Sequence, residues 1–154
     1  MEVIHTTELT DEQRTAIFTL WNEEYPGQLK YKDLDGLDIY ISNLPAAKHF
    51  IYLEHGVILG WAVKFSRESD TWFAIVLNSS IHNKGIGTLL LDKLKDGENS
   101  LSGWVVDHNQ YLRANGQAYP SPLNFYLKNN FSIDQTLRLE SPQLSAVKVR
   151  WQAP

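Results

Sequence analysis

The chain has 154 residues, enough for one domain with a buried core, and its 43% hydrophobic and 21% charged content is that of an ordinary globular protein. A net charge of -4 argues against a nucleic-acid partner, which would call for a basic surface, and zero cysteines exclude disulfides, a thiolate nucleophile and thiolate metal sites. The start, MEVIHTTELT, has neither the basic nor the apolar region of a secretory signal, and no apolar run approaches the roughly 20 residues that span a bilayer. A cytoplasmic protein with no membrane partner is expected.

Residues 1 to 6 are short and alternating, as in a first strand. Thr10 and Gln13 have capping-box spacing, Ile17, Leu20 and Trp21 follow at helical spacing, and Pro26 with Gly27 stops the helix. A short second helix is expected from about 37 to 44. HFIYLEHG and VILGWAVKFS are strand-like runs hinged at His55 and Gly56, and TWFAIVLNS is a third run rich in β-branched and aromatic residues. A helix from about 85 to 96 puts Ile86, Leu89, Leu90 and Leu94 on one face, with Gly97 as its stop. LSGWVVDH reads as a buried strand and SPLNFYLKNN as a short helix with Pro122 near its first turn; FSIDQTLRL and SAVKVRWQ close the chain as strands. The order is β-α-α-β-β-β-α-β-α-β-β, a mixed α/β domain spanning residues 1 to 154.

The chemistry concentrates at KGIG, which follows an apolar strand and opens a helix. A helix N-terminus carries unpaired N–H groups and about half a positive charge, and glycine lets an anion approach the backbone. Lys84 adds a charge and Thr88 a hydroxyl. The plain alternative is a tight turn that only joins strand to helix. No Walker A string occurs, and the third glycine of a dinucleotide fingerprint is replaced by Leu90.

HNKGIGTLLLDKLK resembles the acyl-coenzyme-A motif [RQ]-x-x-G-x-[GA] of the GCN5-related N-acetyltransferases (GNAT superfamily). Gly85 and Gly87 take the glycine positions and His82 stands at the Arg/Gln position. Downstream, SPLNFYLKNNFSI is similar to the family's A-x-x-[FL]-Y-x-K-x-G-F, with Phe125, Tyr126, Lys128 and Phe131 in register and Asn130 in place of glycine. Tyr119 stands where many members carry Asn. The motif matches lie between Leu77 and Phe131; in element order the resemblance runs nearly the whole chain.

The resemblance implies an α+β fold with a mixed, mostly antiparallel central sheet flanked by helices. It implies acetyl-CoA as co-substrate; the five histidines show no metal-ligand spacing, so no metal is expected. It also implies direct acetyl transfer, in a ternary complex, to a primary amine on a small molecule or peptide, and it admits a homodimer without requiring one. His82, Asn83, Lys84, Gly85, Ile86, Gly87 and Thr88 would bind pyrophosphate, and Asn124 would add a cofactor contact. Leu77 and Asn78 would hold the pantetheine arm and offer a backbone N–H to the carbonyl. Tyr126 would protonate the departing thiolate; on the residues alone, a core tyrosine on an apolar helix face with Leu123, Leu127 and Phe131 is the favoured reading.

TWFAIVLN carries no acid, so the candidates for a base are Asp107 and His108 at the strand exit, with Glu68 and Asp70 as lesser ones; a polar strand exit is the plain alternative. The resemblance puts the acceptor region on the first two helices and their loop, WNEEYPGQLKYKDLDGLDIY, where Trp21, Glu24, Tyr25 and Tyr31 would offer carboxylates and aromatic faces to an ammonium group. The long loop HNQYLRANGQAYPSP would cover that site with Tyr111, Arg113 and Tyr119. A non-catalytic acyl-CoA-binding or interaction module is the rival reading.

Overall fold

A computed structural model describes residues 1–154. Strand β1 (Glu2–Thr6) leads into helix α1 (Asp11–Glu24), whose Thr10 and Gln13 exchange the two hydrogen bonds of a capping box, at 3.1 and 2.9 Å. Helix α2 spans Leu34–Ser42 and starts three residues before the expected 37, because Asp33 accepts the Gly36 N–H (3.2 Å) and caps it. The rest runs β2 (Lys48–Glu54), β3 (Val57–Arg67), β4 (Asp70–Leu77), α3 (Ile86–Lys95), β5 (Ser100–Val105), α4 (Leu123–Lys128), β6 (Ser132–Glu140) and β7 (Ser145–Gln152). The element order is the one the sequence implies. No helix is long and apolar enough to cross a membrane.

The strands form one seven-stranded sheet in the order β1-β2-β3-β4-β5-β7-β6. Every neighbouring pair is antiparallel except β4 and β5, which run parallel and pair only at Trp72 and Ser102. Beyond that point β4 and β5 diverge, leaving a wedge whose mouth lies between the exits of the two strands. A sheet edge exposed in mid-fold leaves backbone groups without partners, which is where a ligand can pair.

Period-two alternation sends side chains to two cores. Ile51, Trp61, Val63, Phe65, Trp72 and Val76 pack under α1 and α2 against Ile17, Leu20, Trp21 and Leu37. Phe50, Tyr52, Ala62, Phe73, Val147 and Val149 face α3 and α4, where Leu90, Leu91, Leu94 and Tyr126 close over them. Leu90, Leu91 and Leu94 are fully buried, each contributing about 1.5–3 kcal/mol. The other end of α3 is tied down by Lys64 of β3. Its buried Nζ donates to the carbonyls of Leu94 and Asp96, each at 3.0 Å, and pairs with Glu98 at 3.0 Å. With its C-terminus anchored to β3, α3 presents its N-terminus beside the exit of β4.

Candidate active site

The α3 N-terminus is built by two glycines with different duties. Gly85, not the first helical residue but the N-cap, adopts a left-handed backbone (φ 81°) that its missing side chain permits, and no atom lies near where a Cβ would stand. Gly87 is needed for closeness: a Cβ there would sit 2.8 Å from Cζ of Phe125, so α4 packs directly on the turn. No side chain caps the helix, and the N–H groups of Asn83, Lys84, Gly85, Ile86, Gly87 and Thr88 find no acceptor in the protein. Lys84 and Thr88 are exposed beside them, without an ion pair or a hydrogen bond of their own. Asn124, at the start of α4, is exposed and its amide is likewise without a protein partner.

The mouth of the wedge adjoins this turn. Asn78 donates its N–H to Leu59 of the β3 side (2.8 Å), so by alternation Ile75 and Leu77 turn their peptide groups toward the gap. The Tyr25 hydroxyl donates to the Ile75 carbonyl (2.9 Å), and His82 Nε2 bonds the Leu77 carbonyl (3.1 Å). The Leu77 N–H is left facing the gap. Two sequence expectations change here. Asn78 spends its N–H on β3 and its side chain on capping the Ser80 N–H (2.9 Å), because the chain must turn sharply at the end of β4. His82 reaches into the gap instead of toward the α3 turn.

Tyr126 is buried against Phe73 and Phe131 at ring distances of 5.6 and 5.4 Å, and its hydroxyl has no partner in the protein. Burial, with Tyr119 nearby, holds its pKa well above the usual phenol value. Tyr119 is pushed up to about 12 by burial, and Tyr25 is raised by burial and by the neighbouring Tyr119. Three tyrosine hydroxyls therefore gather at the mouth, all protonated at neutral pH.

The candidate bases fare differently. Asp107 accepts a two-pronged hydrogen bond from Arg138, at 2.8 and 3.2 Å, which holds its carboxyl below the usual range and makes it a poor proton acceptor. His108 accepts the Gln110 N–H through Nδ1 (3.2 Å) and lies edge-on to Tyr111, with ring centroids 4.4 Å apart. Asp70 sits at the closed end of the wedge, where Ser100 and Ser102 donate to its carboxylate at 2.8 and 3.0 Å.

The loop after β5 is an ordered small hairpin. Arg113 and Gln117, and Tyr111 and Tyr119, are joined by backbone hydrogen bonds of 2.8 and 3.0 Å around Gly116. It docks on Gly27, whose N–H donates to Leu112 (2.8 Å), and the Tyr111 hydroxyl accepts the Ser145 N–H (2.8 Å). Buried Glu24 accepts from Ser79 N–H (2.8 Å) and from Arg113 (3.0 Å), so one carboxylate ties α1, the end of β4 and the hairpin together. Of the expected acceptor residues, Glu24, Tyr25 and Tyr119 meet at the mouth, and Tyr111 is locked at the hairpin base. Trp21 and Tyr31 belong to the core under α1, with Trp21 Nε1 donating to the Leu29 carbonyl (2.9 Å). Arg138 and Ser145 went unnoticed in the sequence, since nothing local links them to Asp107 or Tyr111.

No protein-family profile matches the chain, and no curated protein matches it in sequence. Solved structures do. An aminoglycoside 6'-N-acetyltransferase complexed with coenzyme A is similar at TM-score 0.75 and 12% identity, over 100% of this chain and 98% of that one. The chain has the GCN5-related N-acetyltransferase fold. Other structures with this fold include an acyl-CoA N-acyltransferase from Pseudomonas aeruginosa, at TM-score 0.70 and 15% identity over 97% of this chain and 98% of that one. A ribosomal-protein-alanine N-acetyltransferase from Brucella melitensis follows at TM-score 0.67 and 13% identity, over 99% and 100% of the two chains. The seven-stranded, mostly antiparallel sheet flanked by helices matches the GNAT fold of these neighbours.

Proposed function

We propose that the protein transfers an acetyl group from acetyl-CoA to an amine. The observation that carries the reading is the run of unpartnered N–H groups from residues 83 to 88, beside the free Leu77 N–H on the strand edge that β5 leaves open. Such a run suits a pyrophosphate, with Lys84 and the Thr88 hydroxyl beside it. The gap next to it suits an extended amide-bearing arm, and the neighbour in complex with coenzyme A lends support. Acetyl-CoA would supply an acyl group activated as a thioester.

The chain's own groups then have separate duties. The Leu77 N–H donates toward a carbonyl oxygen in the gap, where a fixed donor costs no reorganisation. Tyr126 holds a proton near the mouth, and its raised pKa keeps that proton in place at neutral pH. With Asp107 paired to Arg138, proton removal from the amine falls to water at the mouth or to His108.

Calorimetric titration with acetyl-CoA tests this, using the wild type and Gly85→Asp. Nothing lies near a Gly85 Cβ, and Asp tolerates left-handed backbone, so the variant should fold while placing a negative charge in the turn. Micromolar binding, weakened on the order of 100-fold in the folded variant, is expected. A folded wild type that does not bind acetyl-CoA overturns the proposal. Coenzyme A release with an amine panel then separates an enzyme from a binder.

A further inference from the structure

We infer that the Tyr25 hydroxyl oxygen accepts an N–H of the acceptor amine and so turns the nitrogen lone pair toward the acyl carbon. The inference rests on the acetyltransferase reading and adds to it the group that holds the nucleophile.

The direction of one hydrogen bond carries the inference. A carbonyl oxygen can only accept, so the 2.9 Å bond between the Tyr25 hydroxyl and the Ile75 carbonyl commits the phenol proton to the strand. What the oxygen retains is acceptor capacity. Burial, with Tyr119 nearby, raises its pKa, so the proton stays in that bond at neutral pH. Tyr126 differs: its hydroxyl has no protein partner, so its proton is free to go to a leaving group.

Strand register puts the Tyr25 oxygen beside the reacting carbon. Between Ile75 and Leu77, the N–H and carbonyl of Val76 turn toward β3. The Ile75 carbonyl and the Leu77 N–H are therefore consecutive groups on the edge that faces the gap. The Leu77 N–H is the donor to the acyl oxygen, so the phenol oxygen that covers Ile75 adjoins the acyl carbon. On the far side of that N–H, His82 covers the Leu77 carbonyl at 3.1 Å.

Packing holds the ring in place. Tyr25 is the C-cap of α1, its N–H donates to the Trp21 carbonyl (3.2 Å), and its ring meets Trp21 edge-on at 4.6 Å. Buried Pro26 follows and bridges to Arg113 of the hairpin. An acceptor fixed in advance costs no reorganisation when the amine arrives. A neutral primary amine brings two N–H groups. As the C–N bond forms and the C–S bond breaks, the N–H on Tyr25 is kept in the product amide. The other proton passes to water or His108, and the sulfur takes the Tyr126 proton.

Two conjugates test this without a known acceptor: carboxymethyl-coenzyme A as its N-methylamide, and the corresponding methyl ester, which has oxygen in place of the N–H. Calorimetry reads their binding to the wild type and to Tyr25→Phe, with thermal melting and acetyl-CoA affinity as controls. Phenylalanine keeps the ring against Trp21, so the variant should fold. The wild type should bind the amide about tenfold more tightly than the ester, and Tyr25→Phe should lose most of that preference. A wild type that binds both alike overturns the inference. So does an undiminished preference in Tyr25→Phe, or conjugates that fail to bind where acetyl-CoA binds. For a variant that does not fold, a fluorotyrosine at position 25 takes its place. Its fluorine resonance should move further with the amide than with the ester, and equal shifts overturn the inference. Loss of the parent reading is distinguishable, since it appears as absent acetyl-CoA binding.

Discussion

The two glycines of KGIG should fail for different reasons when replaced. Gly85 sits at φ 81° with open space around its missing Cβ, so alanine there meets strain and no clash. Left-handed backbone costs an ordinary L-residue roughly 1–2 kcal/mol, partly offset by the smaller unfolded-state entropy of alanine. Gly85→Ala should lose about 1 kcal/mol, or roughly 2–4 °C in Tm for a chain of this size. Gly85→Asn should lose less, because Asn tolerates that backbone. Gly87→Ala instead drives a methyl to 2.8 Å from the Phe125 ring, overpacking worth about 1–3 kcal/mol. Adding Phe125→Leu should relieve the clash, giving a coupling energy of about 1 kcal/mol in a double-mutant cycle. Urea melts of the set, with m-values, measure all of this. If Gly85→Asn costs as much as Gly85→Ala, or if Gly87→Ala and Phe125→Leu simply add, the division of labour between the two glycines is wrong.

Tyr126→Phe should lower kcat about 10–100-fold while leaving acetyl-CoA affinity unchanged; an unchanged kcat would show that the thiolate leaves without its proton. Asp107→Asn should not move the acidic limb of the pH–rate profile, since Arg138 keeps that carboxyl ionised throughout the assay range. The depressed pKa of Asp107 gives a stability contribution that is present above the unfolded value near 3.9 and lost as pH falls through the folded one, so Asp107→Asn should flatten acid unfolding. His49 is almost wholly buried, accepts the Trp61 indole N–H through Nδ1 (3.0 Å), and is lowered to about 4 by burial and by His5. Only the unfolded chain takes up that proton between about pH 6.5 and 4, so stability is intact above this window and falls by roughly 3 kcal/mol across it. A His49 imidazole that titrates near pH 6.5 by NMR would contradict this.

Sequence by itself carried the order of elements, because alternation, helical spacing and glycine or proline stops are local signals that need no partner. It carried the α3 turn for the same reason: the glycines, the preceding apolar strand and the following amphipathic run lie within one short stretch. The boundary of α2 was missed by three residues because a single cap at Asp33 outweighed the apolar pattern. The roles of individual polar groups could not be read this way. Asn78 and His82 sit near the expected cofactor path, yet strand pairing consumes the N–H of one and the Leu77 carbonyl captures the ring of the other. Asp107 reads as an available base until Arg138, far along the chain, folds back onto it. Glu24 reads as a surface acid until Arg113 and the Ser79 N–H close around it. A carboxylate's chemistry depends on which charge stands within a few ångströms, and only tertiary folding decides that distance. Periodicity fixed where the backbone goes, and long-range pairing fixed which of its side chains remain free to act.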